Sequence, residues 1–164
     1  MNIKNINIDI LNKKQAIDLG KAIASFCYAP CIIYLSGKIG IGKTTFCNGF
    51  LQAIGYTGNV KSPTYNIFEK YIFSHILIYH IDLYRIQYAE ELEFIGIRDF
   101  FCQKSIYLIE WPKFEKILPQ ADISLLFEYK DNSLIRTVNL LGMTLKGQKI
   151  LSSIRRSFNK KIRY

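Results

Sequence analysis

Gly37, Gly42, Lys43 and Thr44 fall in the pattern G-x-x-x-x-G-K-[ST], within the stretch LSGKIGIGKTTF from Leu35 to Phe46. Glycines let successive backbone N–H groups turn inward with no Cβ in the way, and a helix N-terminus behind them adds its positive dipole end. A ring of donors of this kind suits a polyphosphate. Lys43 is then placed to neutralise the β- and γ-phosphates, and the Thr44 hydroxyl to ligate Mg²⁺. The expected contacts are Gly37, Lys38, Ile39, Gly40, Ile41, Gly42, Lys43, Thr44 and Thr45, and the expected ligand is a nucleoside triphosphate.

A loop that holds a triphosphate for chemistry needs an acid at the end of a neighbouring strand. Asp82 follows the apolar run ILIYHI and Glu110 follows SIYLI. Either one alone reads equally well as a solvated strand-end carboxylate. Both following buried runs beside a phosphate loop points to metal and water handling. In KSPTYN, Pro63 stiffens a turn and Thr64 offers a hydroxyl that can reach the γ-phosphate or Mg²⁺; taken alone, Ser-Pro-Thr is a turn.

These residues need elements to carry them. KNINIDI alternates as a short strand, and Leu11 to Phe26 repeats its apolar residues at helical spacing. CIIYLS is a continuous apolar run, as in a strand buried on both faces of a parallel sheet. The glycine loop follows it, then the helix KTTFCNGFLQAIG with Gly55 as its C-terminal cap. SPTYNIFEKYIF and HILIYHIDLYR read as neighbouring strands joined near Ser74. AEELEFIGIRDFF reads as one short helix with its acids in the first turn. SIYLIEW is a central strand, Pro112 opens a further short helix, and two strands flank an Asp131-Asn132 hairpin turn. Ile150, Ile154, Phe158 and Ile162 recur every four residues on a last helix with a basic opposite face. The class is α/β: a three-layer P-loop NTPase fold with a mixed, mainly parallel central sheet flanked by helices.

The chain has 164 residues, which suits one domain. The expected division is an ATPase domain at 1–143 and a basic helix or tail at 144–164, belonging to the same domain or flexible. The net charge of +9 is concentrated in that tail, which holds seven of the 22 basic residues and none of the 13 acids. Charge therefore argues for nucleic acid only through the tail. No apolar run reaches the roughly 20 residues of a membrane span, and the first residues lack a signal-peptide pattern. A cytoplasmic protein without membrane contact is the expectation. Cys27, Cys31, Cys47 and Cys102 sit singly beside apolar residues and read as free thiols rather than zinc ligands.

The motifs GKIGIGKTTF, VKSPTYNIFEKY, HIDLYR, EELEFIGI and LIEWP occur in the order seen in the TsaE (YjeE) family, which this chain resembles from the glycine loop through Pro119. The resemblance implies a slow Mg²⁺-dependent ATPase of tRNA threonylcarbamoyladenosine biosynthesis. Its partners would be TsaB and TsaD homologues, which modify adenosine 37 of tRNAs reading codons that begin with A. It implies tRNA contact through that complex, and a monomer or weak self-association alone. By the same resemblance Lys43 is the phosphate lysine, Thr44 the magnesium hydroxyl and Thr64 the switch-like threonine. Asp82 and Glu110 share metal and water-orienting roles that the sequence does not divide, and Trp111 lies beside the nucleotide. Lys38 stands where family loops usually carry an acid, which implies altered affinity or partner contact.

Two other classes fit parts of the chain. A P-loop small-molecule kinase would need an arginine-bearing lid, and three of the six arginines lie in the tail. An RNA-binding module would use the tail's Lys and Arg for salt-dependent affinity. Arg85 in HIDLYR can pair with Asp82, meet a partner or touch phosphate.

Overall fold

Cys31–Gly37 and Ile106–Glu110 become strands covered on both sides, and every residue of the second is buried. The computed structural model describes residues 4–101, 104–114, 116–130 and 134–161. In chain order the elements are β1 (Asn5–Ile10), α1 (Lys13–Ala24), β2 (Cys31–Gly37), α2 (Lys43–Ala53), β3 (Phe68–Ile72) and β4 (Leu77–Asp82). There follow α3 (Ala89–Phe94), α4 (Ile97–Phe100), β5 (Ile106–Glu110), β6 (Ile123–Tyr129), β7 (Arg136–Gly142) and α5 (Leu145–Lys161). Cys102, the Asp131-Asn132 turn and Ile162 lie outside the described residues.

The strands form one mixed seven-stranded sheet in the order β1-β7-β6-β2-β5-β4-β3. Its centre, β6-β2-β5-β4, is parallel. The flanking pairs β1–β7, β6–β7 and β3–β4 are antiparallel. Helices on both faces complete the expected three layers. On one face α1, α2 and α5 enclose Ile23, Phe46, Phe50, Leu108 and Ile154; on the other, α3 and α4 bring Leu92 and Ile97 onto Tyr79, Tyr107 and Leu118. Because side chains alternate along a strand, the residues of β4 and β5 divide between these cores. Ile78, Ile106 and Leu108 face α2, and so do His80, Asp82 and Glu110, which share their alternation.

The helix that carries the glycine loop is held against α1 at unusually short range. A Cβ on Gly49 of α2 would stand 2.1 Å from the Ile17 carbonyl oxygen, and one on Gly20 of α1 would stand 2.2 Å from that of Phe46. Asn12 caps α1 by accepting from the Gln15 N–H at 3.0 Å. Gly55 follows α2 with φ of 108°, in keeping with its role after a helix end. On α5, Ile150, Leu151 and Ile154 enter the core, Phe158 packs beside them, and Arg155 and Arg156 are exposed.

Two local expectations are corrected. The helix read over residues 89–101 is two short helices, because Gly96 sits between them at φ 69°. Pro112 opens no helix among the described residues. Trp111 at φ 55° and Phe114 at φ 65° stand in the left-handed region on either side of it, and a turn follows in which Ile117 and Leu118 donate to the Phe114 carbonyl. Among the described residues no helix is long and apolar enough to cross a membrane.

The close α1–α2 contact gives a prediction of reversed sign. In an exposed helix interior, Gly→Ala stabilises by roughly 1 kcal/mol. Here Gly49→Ala forces a methyl group into backbone and should destabilise by about 1–3 kcal/mol. Urea unfolding of the two proteins measures it, and a stabilised variant would show that the helices separate freely.

Candidate functional site

β2, β4 and β5 all end at the same edge of the sheet, where parallel strands of an open α/β sheet present their ligand crevice. There a cleft of about 470 Å³ is lined by Ile39 through Thr45 of the loop, by Asp82 and Glu110 from the strand ends, and by Trp111. Gly37 and Lys38, the first two expected loop residues, do not line the cleft; their carbonyls accept from the Lys43 ammonium.

The loop has the backbone that its sequence suggests. Gly37 and Gly42 stand at φ 138° and 119°, where an L-residue is strained. A Cβ on Gly37 would also meet the Phe127 carbonyl oxygen at 2.6 Å. Gly42 is the N-cap of α2 and contributes no side-chain cap, so the first-turn N–H groups of Lys43, Thr44 and Thr45 are left for a ligand. Ile41 is buried in the core beneath the loop, whereas Ile39 is 70% exposed at its tip.

Lys43 is nearly buried at 4% exposure. Its ammonium donates to the Gly37 carbonyl at 2.7 Å and the Lys38 carbonyl at 2.9 Å, and it lies 4.1 Å from the centroid of the Trp111 ring. Burial draws the lysine pKa down, against the raising effect of Glu110 and Asp82. The ammonium is thus held by neutral carbonyls and an aromatic face, all of which can be exchanged for phosphate oxygens.

The acids are engaged differently. Glu110 Oε1 accepts from the Thr44 hydroxyl at 2.9 Å and faces His80 Nε2 at 2.8 Å. Thr44 gives its only hydroxyl hydrogen to Glu110, so the oxygen's lone pairs remain for a cation. Asp82 instead holds the 62–64 turn. Its Oδ2 accepts from the Ser62 hydroxyl at 2.5 Å and the Thr64 hydroxyl at 2.7 Å, and its Oδ1 accepts from the Tyr84 N–H at 2.9 Å. Thr64, expected near phosphate or metal, therefore lines the cleft while bonded to Asp82. Arg85 places its guanidinium 3.9 Å from the Tyr65 ring centroid.

Ser62 and His80 are the site residues that the sequence reading missed. Ser62 stood in the quoted KSPTYN, two residues before the threonine chosen for its hydroxyl. His80 carried no signal, since one histidine in an apolar strand looks like core.

The donor set fits a magnesium nucleotide. A hard cation takes hydroxyl and carboxylate oxygens, and Thr44, Glu110 and Asp82 bring these beside amides and an ammonium suited to phosphate.

Residues 10–138 match the family described as Threonylcarbamoyl adenosine biosynthesis protein TsaE. A Haemophilus influenzae protein named tRNA threonylcarbamoyladenosine biosynthesis protein TsaE is 50% identical over 123 residues, covering 74% of this chain and 77% of that one. The protein of the same name from Bacillus subtilis is 31% identical over 127 residues, covering 77% and 79%. The crystal structure of Bacillus subtilis YdiB superposes with a TM-score of 0.81 at 23% identity, over 96% of this chain and 98% of that one, which shows the fold.

The hold of Asp82 on the turn can be measured. Thr64→Val keeps the side-chain volume but removes one of two hydroxyl donors on Oδ2. The loss of about 1 kcal/mol should speed amide hydrogen exchange over residues 62–66 about fivefold. Unchanged exchange would mean that the Ser62 bond alone fixes the turn.

Proposed function

Because the chain belongs to the TsaE family, we propose that it serves threonylcarbamoyladenosine formation in tRNA as a Mg²⁺-dependent ATPase, slow by itself and driven to turnover by TsaB and TsaD homologues. One observation carries this reading: the hydrogen bond from Thr44 to Glu110, made directly beside the Lys43 ammonium at the end of the glycine loop. An acid, a hydroxyl with free lone pairs and the Lys43 ammonium thus meet at one end of the cleft.

Each residue then has a task. The first-turn amides of α2 and Lys43 bind the phosphates, Lys43 leaving the Gly37 and Lys38 carbonyls to do so. Thr44 and Glu110 would hold the magnesium ion, Glu110 by carboxylate oxygen directly or through water. When bound, magnesium supplies charge neutralisation for the leaving diphosphate. Asp82 holds the Ser62–Thr64 turn at the cleft, and its carboxylate would share with Glu110 the orientation of water there. Trp111 faces the Lys43 ammonium and packs against Tyr84, with ring centroids 5.1 Å apart, giving the nucleotide side an apolar wall.

Dependence on partners follows from charge. Arg85 is the one arginine lining the cleft among the described residues, and it is stacked on Tyr65. A P-loop ATPase without a cationic group aimed at the γ-phosphate is slow, and a partner that supplies or aims one is worth about 10³-fold or more. The cytoplasm, where tRNA and ATP meet, is the proposed compartment.

Three measurements test this. Trp111 is the only tryptophan, so its emission should change when Mg-ATP draws the ammonium from its ring. Lys43→Ala removes charged hydrogen bonds to phosphate and should weaken that uptake by about 10- to 100-fold. In a reconstituted mixture with TsaB and TsaD homologues, the modified adenosine should form repeatedly with the wild type and stall with Lys43→Ala. Rapid hydrolysis by the isolated chain, at tens per second, would refute the partner dependence.

A further inference from the structure

His80 lies on the sheet face toward α2, one pleat behind Asp82, with its side chain fully buried. Its register partner on β5 is Leu108, and that of Asp82 is Glu110. The ring therefore lies one pleat back from the pair of acids, on the sheet face that carries the apolar core of Phe46, Phe50 and Leu108. From there Nε2 reaches Glu110 Oε1 at 2.8 Å, the same oxygen that takes the Thr44 hydroxyl. With the carboxylate as acceptor, the ring hydrogen sits on Nε2. Nδ1 is buried without a hydrogen-bond partner. A hydrocarbon side chain would fill this place without leaving a nitrogen unsatisfied, so the imidazole needs a reason beyond packing.

We propose that His80 is a positioning residue for Glu110: its Nε2–H fixes the carboxylate on the Thr44 side, presetting the hydroxyl and acid that receive the metal of a bound nucleotide. The inference rests on the ATPase reading above and names what aims its metal-side acid. Without His80, Glu110 has one side-chain donor left among the described residues, the Thr44 hydroxyl, which is also the group that must turn its lone pairs to the cation. Two donors from different elements, α2 and β4, remove the carboxylate's freedom to rotate before the ligand arrives. Outer partners that orient a metal-binding group commonly govern affinity or activity 10- to 100-fold.

A second chemistry is available to the same atoms. Ligand atoms of Cys47, His80 and Glu110 lie within 4.8 Å of one another, a trio that could attract a thiophilic metal. That would require the Cys47 thiolate, and burial pushes this thiol well above its ordinary pKa. It would also take Glu110 away from Thr44.

The experiment compares wild type, His80→Gln and His80→Leu by Trp111 emission, titrating ATP in excess EDTA and again in excess Mg²⁺. Thermal melts confirm that each is folded. His80→Leu should lose about 10- to 100-fold of the affinity gained from Mg²⁺ and hold its EDTA affinity within about twofold. His80→Gln can offer an amide donor near the Nε2 position and should keep most of the Mg²⁺ gain. If the leucine protein does not fold, His80→Asn replaces it, since its shorter amide falls short of Glu110; the same loss is expected. The proposal is overturned if the leucine or asparagine protein keeps the full Mg²⁺ gain, or loses affinity equally with and without Mg²⁺, as a packing role would dictate. Stoichiometric zinc uptake by wild type, lost in both Cys47→Ser and His80→Leu, would overturn it in favour of the metal trio. Should wild type itself take up no Mg-ATP, the ATPase reading fails; should wild type bind and the variant match it, only the role of His80 fails.

Discussion

Glu110 Oε1 joins three separate parts of the molecule: its own strand β5, the Thr44 hydroxyl at the start of α2, and the His80 ring on β4. A carboxylate 3% exposed is costly to bury unless its oxygens are matched by donors. Here the matching is done by the very groups that define the site. The strand order β2-β5-β4 puts the acid between the strand that leads into the glycine loop and the strand that carries its histidine. Parallel pairing puts all three strand ends on one edge, and the glycine loop closes over that edge.

The two acids look alike in sequence and are used differently. Glu110 faces the helix end and is coupled to the group that would meet a cation. Asp82 faces the opposite wall, accepting from the hydroxyls of residues 62 and 64 and from the N–H of residue 84. The difference arises one residue beyond each strand. After β4 the chain continues through Leu83, whose N–H donates to the Glu110 carbonyl at 3.1 Å. After β5 it turns sharply at Trp111, which donates to the Leu35 carbonyl at 3.0 Å and adopts φ 55°. A non-glycine residue in that region costs of order 1–3 kcal/mol, and it brings the indole over Lys43.

Much of this was legible in the amino-acid order because it rests on local rules. The glycine spacing, the lysine and threonine after it, and the apolar runs ending in Asp82 and Glu110 are each readable within ten residues. So were most strands and the apolar stripe of α5 as far as Phe158. What escaped depends on contacts between distant segments. Pro112 is a good first residue for a helix, yet Trp111 and Phe114 are pinned by tertiary contacts in a conformation that breaks one. Gly96 fell inside the single helix read over residues 89–101 and is the break between two. His80 gains its meaning from Glu110, thirty residues on, and the sequence offers no period or motif to join them.

Gly20 and Gly49 let two helices meet backbone to backbone, with no side chains at the crossing to act as a cushion. Such a joint has little room to slide or tilt. The phosphate loop is therefore mounted on a stiff anvil of two helices and the parallel strands behind them. The opposing wall is tied to Asp82 by the Ser62 and Thr64 hydroxyls and, past them, by the Asp82 N–H donating to the Ile67 carbonyl. Any opening or closing of the cleft must be carried by that wall, and a protein that grips residues 62–66 would control the jaw without touching the anvil.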